Sequence, residues 1–258
     1  KAANVATMRR FGFPDGTVPD GFAVPFAFYD ALMAHNGFYD DVRALLADPA
    51  FQSDYAVQEA RLEELRDRIE DGDMPGWMLD ALAAMQATFP VAQGIRCRSS
   101  TNNEDLPGFS GAGLYDSFTH RPDEGHIAKS IRQVYASTWT FRAFVAREIY
   151  RIDHFHTAMG VLVHANYDDE AANGVGVTTD PVYGTEGTYY LNTQLGENLV
   201  TNPDALSVPE EILLGAAEGS GYTIVRPSNQ VPPGQQLLSD AHLASMRRYL
   251  GVIQAEFA

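Results

Sequence analysis

Lysine is almost missing from this sequence: only Lys1 and Lys129 occur, and arginine supplies the rest of the 18 basic residues. Against them stand 34 acidic residues, for a formal net charge of −16. So acidic a chain is a poor match for nucleic acid or an anionic membrane, which are bound through a positive field. Neither is expected as a partner. Cysteine is missing except for Cys97. That excludes an internal disulfide and a thiolate metal cluster, and makes a reducing cytoplasm the expected setting. Long apolar runs are missing too; none approaches the roughly 20 residues of a membrane-spanning helix. A site for a polyphosphate, if there is one, has to be built locally.

What is present is ordinary for a globular protein: 45% hydrophobic and 20% charged residues. A chain of 258 residues buries a substantial core as one large domain or two modest ones. Helical spacing is expected over 1–11, 26–34, 55–69, 76–89, 126–138, 141–153 and 240–257. Gly12, Pro14, Gly16, Pro19 and Gly21 break the pattern early, and Phe22–Val24 resumes as an extended segment. Residues 94–100 alternate like a strand. Short apolar runs at 159–164, 174–178 and 188–194 read as sheet, and 207–228 is mixed. A helix-rich first part and a strand-rich second part predict an α/β (α+β) fold in two lobes, 1–158 and 159–258.

The informative stretch runs from Arg96 to Asp116. A strand end bears Arg98, followed by Ser99, Ser100 and Thr101, then a polar loop with Gly108, Gly111 and Gly113. Arginine clamps phosphate oxygens bidentately, and glycines let backbone N–H groups curve around an anion. Taken alone, such a loop is more often an ordinary surface turn, and Glu104 and Asp105 oppose anion binding.

The stretch resembles the arginine–serine–serine motif of the phosphoenolpyruvate synthase and pyruvate phosphate dikinase family, R-S-S-A-x-x-E-D-L-P followed by F-A-G. Arg98, Ser99, Ser100, Glu104, Asp105, Leu106, Pro107, Phe109 and Gly111 fit it without a gap. Lys1 to Met8 is similar to the family's G-G-K-G-A-N-L-x-x-M, entered at the lysine, and Val18–Phe22 to its V-P-P-G-F. Tyr135–Ala143 resembles W-A-S-L-F-x-x-R-A, and Met159–His164 resembles M-A-V-V-V-Q. Gly174–Pro181 is similar to G-V-x-F-T-x-N-P, and Asn192–Glu197 to a slightly shortened N-A-S-x-G-L-G-E.

The resemblance implies the fold and the chemistry together. It implies a two-lobed ATP-grasp-type nucleotide-binding domain that takes ATP and Mg²⁺. Such a domain splits ATP and passes a phosphoryl group to a histidine on a downstream domain of the same or another chain. Lys1 and Arg98 would hold the phosphates, with Ser99, Ser100, Thr101 and Gly111 at a loop that folds over them as a lid. His164 would reach the adenine or serve the structure. Asn192, Gln194 and Glu197 would line the pocket floor or play a structural part.

Two family segments have no match: the D-I-E-[WF] and L-x-x-L-Q-x-R-P strands that bind Mg²⁺, and the G-G-x-T-S/C-H-A phosphohistidine segment. The pyruvate-binding barrel has none either. The expectation is therefore of an incomplete domain, inactive alone, with metal ligands beyond Ala258. Pyruvate is the expected final acceptor, with a glucan or a drug as the alternative. A nucleotide-binding module without turnover is the other.

Overall fold

The computed structural model describes residues 1–103, 105–106, 108–111, 113–196, 200 and 206–257; the side chains of Asp105 and Ser110 are left out of the description. Helices and two antiparallel four-stranded sheets make it an α+β protein. The chain divides into two compact units, Lys1–Arg9 with Pro14–Asn166, and Arg10–Phe13 with Tyr167–Ala258.

The first unit holds α1 (Ala2–Met8), β1 (Gly21–Val24), α2 (Phe26–His35), α3 (Phe38–Ala47), α4 (Pro49–Ser53), α5 (Tyr55–Glu70) and α6 (Gly76–Gln86). After these come β2 (Ile95–Thr101), the short β3 (Asp105–Leu106) and β4 (Phe109–Ser110), and β5 (Phe118–His120). It closes with α7 (Ala128–Ala136), α8 (Phe141–Tyr150) and β6 (Met159–Ala165). Capping side chains fix several helix starts, as they satisfy N–H groups with no partner inside the helix. Asp48 accepts from the Ala50 N–H, Asp54 from those of Ala56 and Val57, and Thr140 from that of Ala143.

The four-stranded sheet runs β1-β6-β2-β5, all antiparallel. Alternation along each strand sends Ile95 and Cys97 of β2, Met159, Val161 and Val163 of β6, and Val24 of β1 into one core with the helices. Tyr29, Leu62, Ile69, Met78, Ile131, Tyr135 and Trp139 meet them there. Strand β6, expected to open the second lobe, is paired along its whole length with β2 in the first unit. An apolar alternating run declares a strand but not its neighbour, so the sequence pattern could not assign β6 to a sheet.

The second unit holds β7 (Ala172–Val177), β8 (Thr188–Leu195), β9 (Glu210–Gly215), β10 (Tyr222–Arg226) and α9 (Asp240–Phe257). The strands form a sheet in the order β10-β9-β8-β7. Tyr189, Leu191, Ile212 and Leu214 bury one face against Leu243 and Leu250 of α9. Gly176 makes that contact possible: a Cβ there would stand 3.3 Å from side-chain carbons of Leu191 and Leu250. Phe11 and Phe13 pack edge-on against Phe257 and Tyr249, which ties residues 10–13 to α9. No described helix is long and apolar enough to cross a membrane.

Candidate functional site

Strand β2 has two faces with different chemistry. Ile95, Cys97, Ser99 and Thr101 turn towards the helical core, while Arg96, Arg98 and Ser100 alternate on the opposite face. Register adds residues from the neighbouring strands to that opposite face. His164 of β6 lies across from Arg96, Leu162 from Arg98 and Gly160 from Ser100, and Gly21 of β1 lies across from His164. Gly21 has no room for a side chain: a Cβ would fall 2.3 Å from the Val163 carbonyl oxygen and 3.2 Å from the His164 Cβ.

Helix α1 brings Lys1 to the same strand. The Lys1 Nζ donates to the Ser99 carbonyl at 2.7 Å, and the Ala2 N–H donates to the Ser100 hydroxyl at 3.2 Å. The Ser99 N–H is taken by the Ser117 hydroxyl at 3.2 Å. Lysine, arginine and serine thus meet around two consecutive residues, although Lys1 and Arg98 are 97 positions apart in the chain.

The electrostatics follow from this placement. Arg96 is half-buried and donates to the Thr119 hydroxyl at 2.9 Å. Burial, and then the neighbouring Arg98, lower its pKa from the ordinary guanidinium value. Arg98 is exposed and, among the described residues, has no carboxylate or hydrogen-bond partner. His164 is only 6% exposed, and its Nδ1 sits 2.7 Å from the Ala165 carbonyl oxygen. Burial depresses its pKa most; the Ala165 carbonyl pulls the other way, and the charges of Arg98 and Arg96 add to the depression. The imidazole therefore stays neutral beside two guanidiniums. This is a local positive face on an acidic chain.

The other expected site residues fall elsewhere. Ser99 and Thr101 are buried on the core side; the Ser99 hydroxyl donates to the Tyr115 carbonyl at 3.4 Å, while the Thr101 Oγ1 is buried with no partner among the described residues. They are therefore not displayed beside Arg98. Gly111 is buried just beyond β4 and its carbonyl accepts the Leu114 N–H. Asn192 and Gln194 lie on β8 in the second unit. Gln194 is 0% exposed and engaged at both ends, by the Ser207 hydroxyl and the Leu195 N–H. The Asn192 Oδ1 is buried without a partner among the described residues. Glu197 lies outside the described residues, as do Glu104 and Pro107 of the loop motif.

Sequence reasoning singled out Arg98 but not Arg96, and the signal was there: two arginines spaced by two on a strand share a face. It also passed over a polar cluster on the second sheet. A bulge between Ile224 and Arg226 brings Arg226 opposite Glu211. The two form an ion pair at 2.7 Å, and the Tyr183 hydroxyl donates to Glu211 at 2.9 Å. No spacing in the sequence announces that pairing.

The fold is α+β, and its first sheet carries Arg96 and Arg98 on one face with Lys1 bonded to the same strand. The family model for the pyruvate phosphate dikinase AMP/ATP-binding domain matches residues 1–258, and the chain belongs to that family. It is similar to the phosphoenolpyruvate synthase of Aeropyrum pernix, 27% identical over 223 residues, which cover 83% of this chain and 27% of that protein. It is 31% identical over 204 residues to the phosphoenolpyruvate synthase of Neisseria meningitidis serogroup B, covering 74% of this chain and 25% of that protein. A rifampicin phosphotransferase of Streptomyces is 30% identical over 217 residues, covering 81% and 24%. The chain thus spans about a quarter of the length of these relatives.

Proposed function

We propose that the chain is the ATP-binding part of a dikinase-type phosphotransferase, with an ATP-grasp-type fold whose two lobes correspond to the two compact units. Arg98, Lys1 and Ser100 hold the polyphosphate, with Arg96 behind them. The full-length protein passes a phosphoryl group from ATP to a histidine on a separate domain. The final acceptor is pyruvate or a drug-like molecule, the two acceptor classes that the names of the relatives suggest.

One observation carries this reading. An exposed guanidinium with no acidic partner among the described residues stands beside a second guanidinium, a neutral histidine and a lysine, in a chain of net charge −16. A convergent set of this kind fits a polyanion, because arginine offers a planar fork to phosphate oxygens and lysine a point charge. In phosphoryl transfer the protein supplies positioning and charge stabilisation rather than covalent chemistry. Arg98 and Lys1 suit both tasks. Mg²⁺ finds no such set: among the described residues no three His, Cys, Asp or Glu side chains converge as metal ligands.

Calorimetry on the 258-residue chain tests the reading. ATP is expected to bind, and Arg98→Gln to weaken it by about tenfold or more, the scale of one lost charge-assisted contact. Wild-type affinity in a folded Arg98→Gln variant would remove Arg98 from the site.

A further inference from the structure

Arg147 of α8 is a charge in the interior of the first unit, 0% exposed. Among the described residues no carboxylate touches it. Its Nε donates to the His154 Nδ1 at 2.9 Å and an Nη to the Thr138 carbonyl at 2.8 Å, and the guanidinium stands 5.2 Å from the centre of the Trp139 ring. His154 carries the contact outward, its Nε2 lying 2.7 Å from Glu148. Burial disfavours the charged form of Arg147, and the Tyr115 phenol beside it is the first group to oppose that. A buried cation without a direct counter-ion is costly, and one of its Nη atoms is buried with no hydrogen-bond partner among the described residues.

Tyr115 begins a relay in which the donors all point one way. Its hydroxyl donates to the Asn103 Oδ1 at 3.0 Å, the Asn103 Nδ2 to the Thr157 hydroxyl at 3.1 Å, and that hydroxyl to the Asp153 carbonyl at 3.0 Å. Tyr115, Asn103 and Thr157 are all buried. Asn103 and Tyr115 stand on the two stems of the segment that leaves β2 after Thr101 and returns towards β5. Further ties close the same neck. The Asn102 side chain donates to the His156 carbonyl at 2.7 Å and accepts the Ala158 N–H at 3.0 Å. Arg142 donates to the Gly113 carbonyl at 2.5 Å, and the Phe109 ring packs on Tyr150 of α8, 4.9 Å between centres.

We propose that Tyr115 is a positioning residue: together with Asn103 and Thr157 it clasps the two stems and so fixes the end of β2 that carries Arg98 and Ser100. That the clasp tunes nucleotide binding rests on the proposed function above; that it fixes the stems does not. A small displacement of a binding group weakens the contact it makes, as in a preorganised catalytic site.

The test uses the whole chain. Tyr115→Phe removes one hydroxyl and keeps the ring. Thr157→Val breaks the far end of the relay at nearly constant volume, and carries the test if Tyr115→Phe does not fold. Leu82→Ala, a core truncation on α6, is the control for general destabilisation. Amide hydrogen exchange is read at 102, 103 and 113–117, and ATP affinity by calorimetry. Tyr115→Phe is expected to speed exchange in the stems about tenfold with α6 and α9 unchanged, and to weaken ATP by a similar factor. Thr157→Val moves both the same way by less. Leu82→Ala lowers the unfolding temperature and moves neither. Wild-type stem exchange in folded Tyr115→Phe overturns the clasp, and loosened stems with unchanged ATP affinity overturn its positioning role. If the wild-type chain binds no ATP, the functional reading fails, and the clasp is then decided by exchange alone.

Discussion

His164 shows how much one residue's surroundings decide. It sits on β6 across from Arg96, buried and flanked by two guanidiniums, and its pKa is depressed by burial and then by those charges, against the Ala165 carbonyl. The unfolded chain takes up this proton near pH ~6.5; the folded chain takes it up only at lower pH. Protons bound by the unfolded state alone destabilise the fold, so the contribution of His164 to stability falls as pH drops below that value. A proton NMR titration of its ring should give a midpoint below that of an ordinary histidine. In Arg98→Gln the midpoint should move up, because one repelling charge has gone. No movement would mean that Arg98 points away from His164.

At the scale of elements, Glu210 at the start of β9 is the revealing case. It is fully buried and accepts the Leu237 N–H at 3.2 Å, holding the segment that leads into α9. Burial raises its pKa despite the N–H donors from Leu237 and Leu238. A carboxyl with a raised pKa keeps its proton longer in the folded state, and the stability this brings is lost as pH rises through the folded value. Glu210→Gln keeps the acceptor and removes the charge, so its unfolding temperature should exceed that of the wild type at pH 8 and gain nothing at pH 4. Glu210→Ala leaves the Leu237 N–H without its partner and should cost about 1–3 kcal/mol. Thermal melts at the two pH values decide it; equal shifts at both would show that the carboxyl ionises normally.

Elements were also where the sequence was most legible, for reasons visible in particular segments. Tyr55–Glu70, Gly76–Gln86 and Asp240–Phe257 stand close to where helical spacing put them, because long amphipathic runs repeat their signal several times. Phe38–Ala47 was passed over, although Phe38, Val42, Leu45 and Leu46 are spaced for one helical face behind Gly37. Phe118–His120 is three residues long, too short for alternation to register. The family pattern runs through both Lys1 and the Arg98 motif, and the structure brings Lys1 onto the same strand, its Nζ on the Ser99 carbonyl. The relay from Tyr115 to Thr157 was not legible, since it joins residues from the β2 exit, the return to β5 and the turn before β6. Hydrogen bonds between distant segments leave no period in a sequence.

The molecule as a whole sets a further condition on its ligand. The chain carries a net charge of −16, and the proposed phosphate site is a small positive face upon it. A polyanion such as ATP is therefore repelled at long range and attracted only close to Arg98. At ~0.01 M salt the screening length is ~30 Å, longer than the ~18 Å radius of gyration of a compact chain of this length, so the whole charge acts on the approaching ligand. At ~0.15 M it shrinks to ~8 Å, and only nearby charges count. The association rate for ATP should therefore rise several-fold between those salt concentrations, the reverse of an electrostatically steered encounter. The dissociation rate should rise as well, because the exposed Arg98 contact is itself screened. Stopped-flow mixing with a fluorescent ATP analogue over a potassium chloride series separates the two. In Arg98→Gln the rise in association rate should persist while dissociation speeds up, since the long-range charge is almost unchanged and the local contact is lost. An association rate that falls with salt from the lowest concentration onward would show that the basic face reaches beyond the acidic surface, and that the net charge does not govern the encounter.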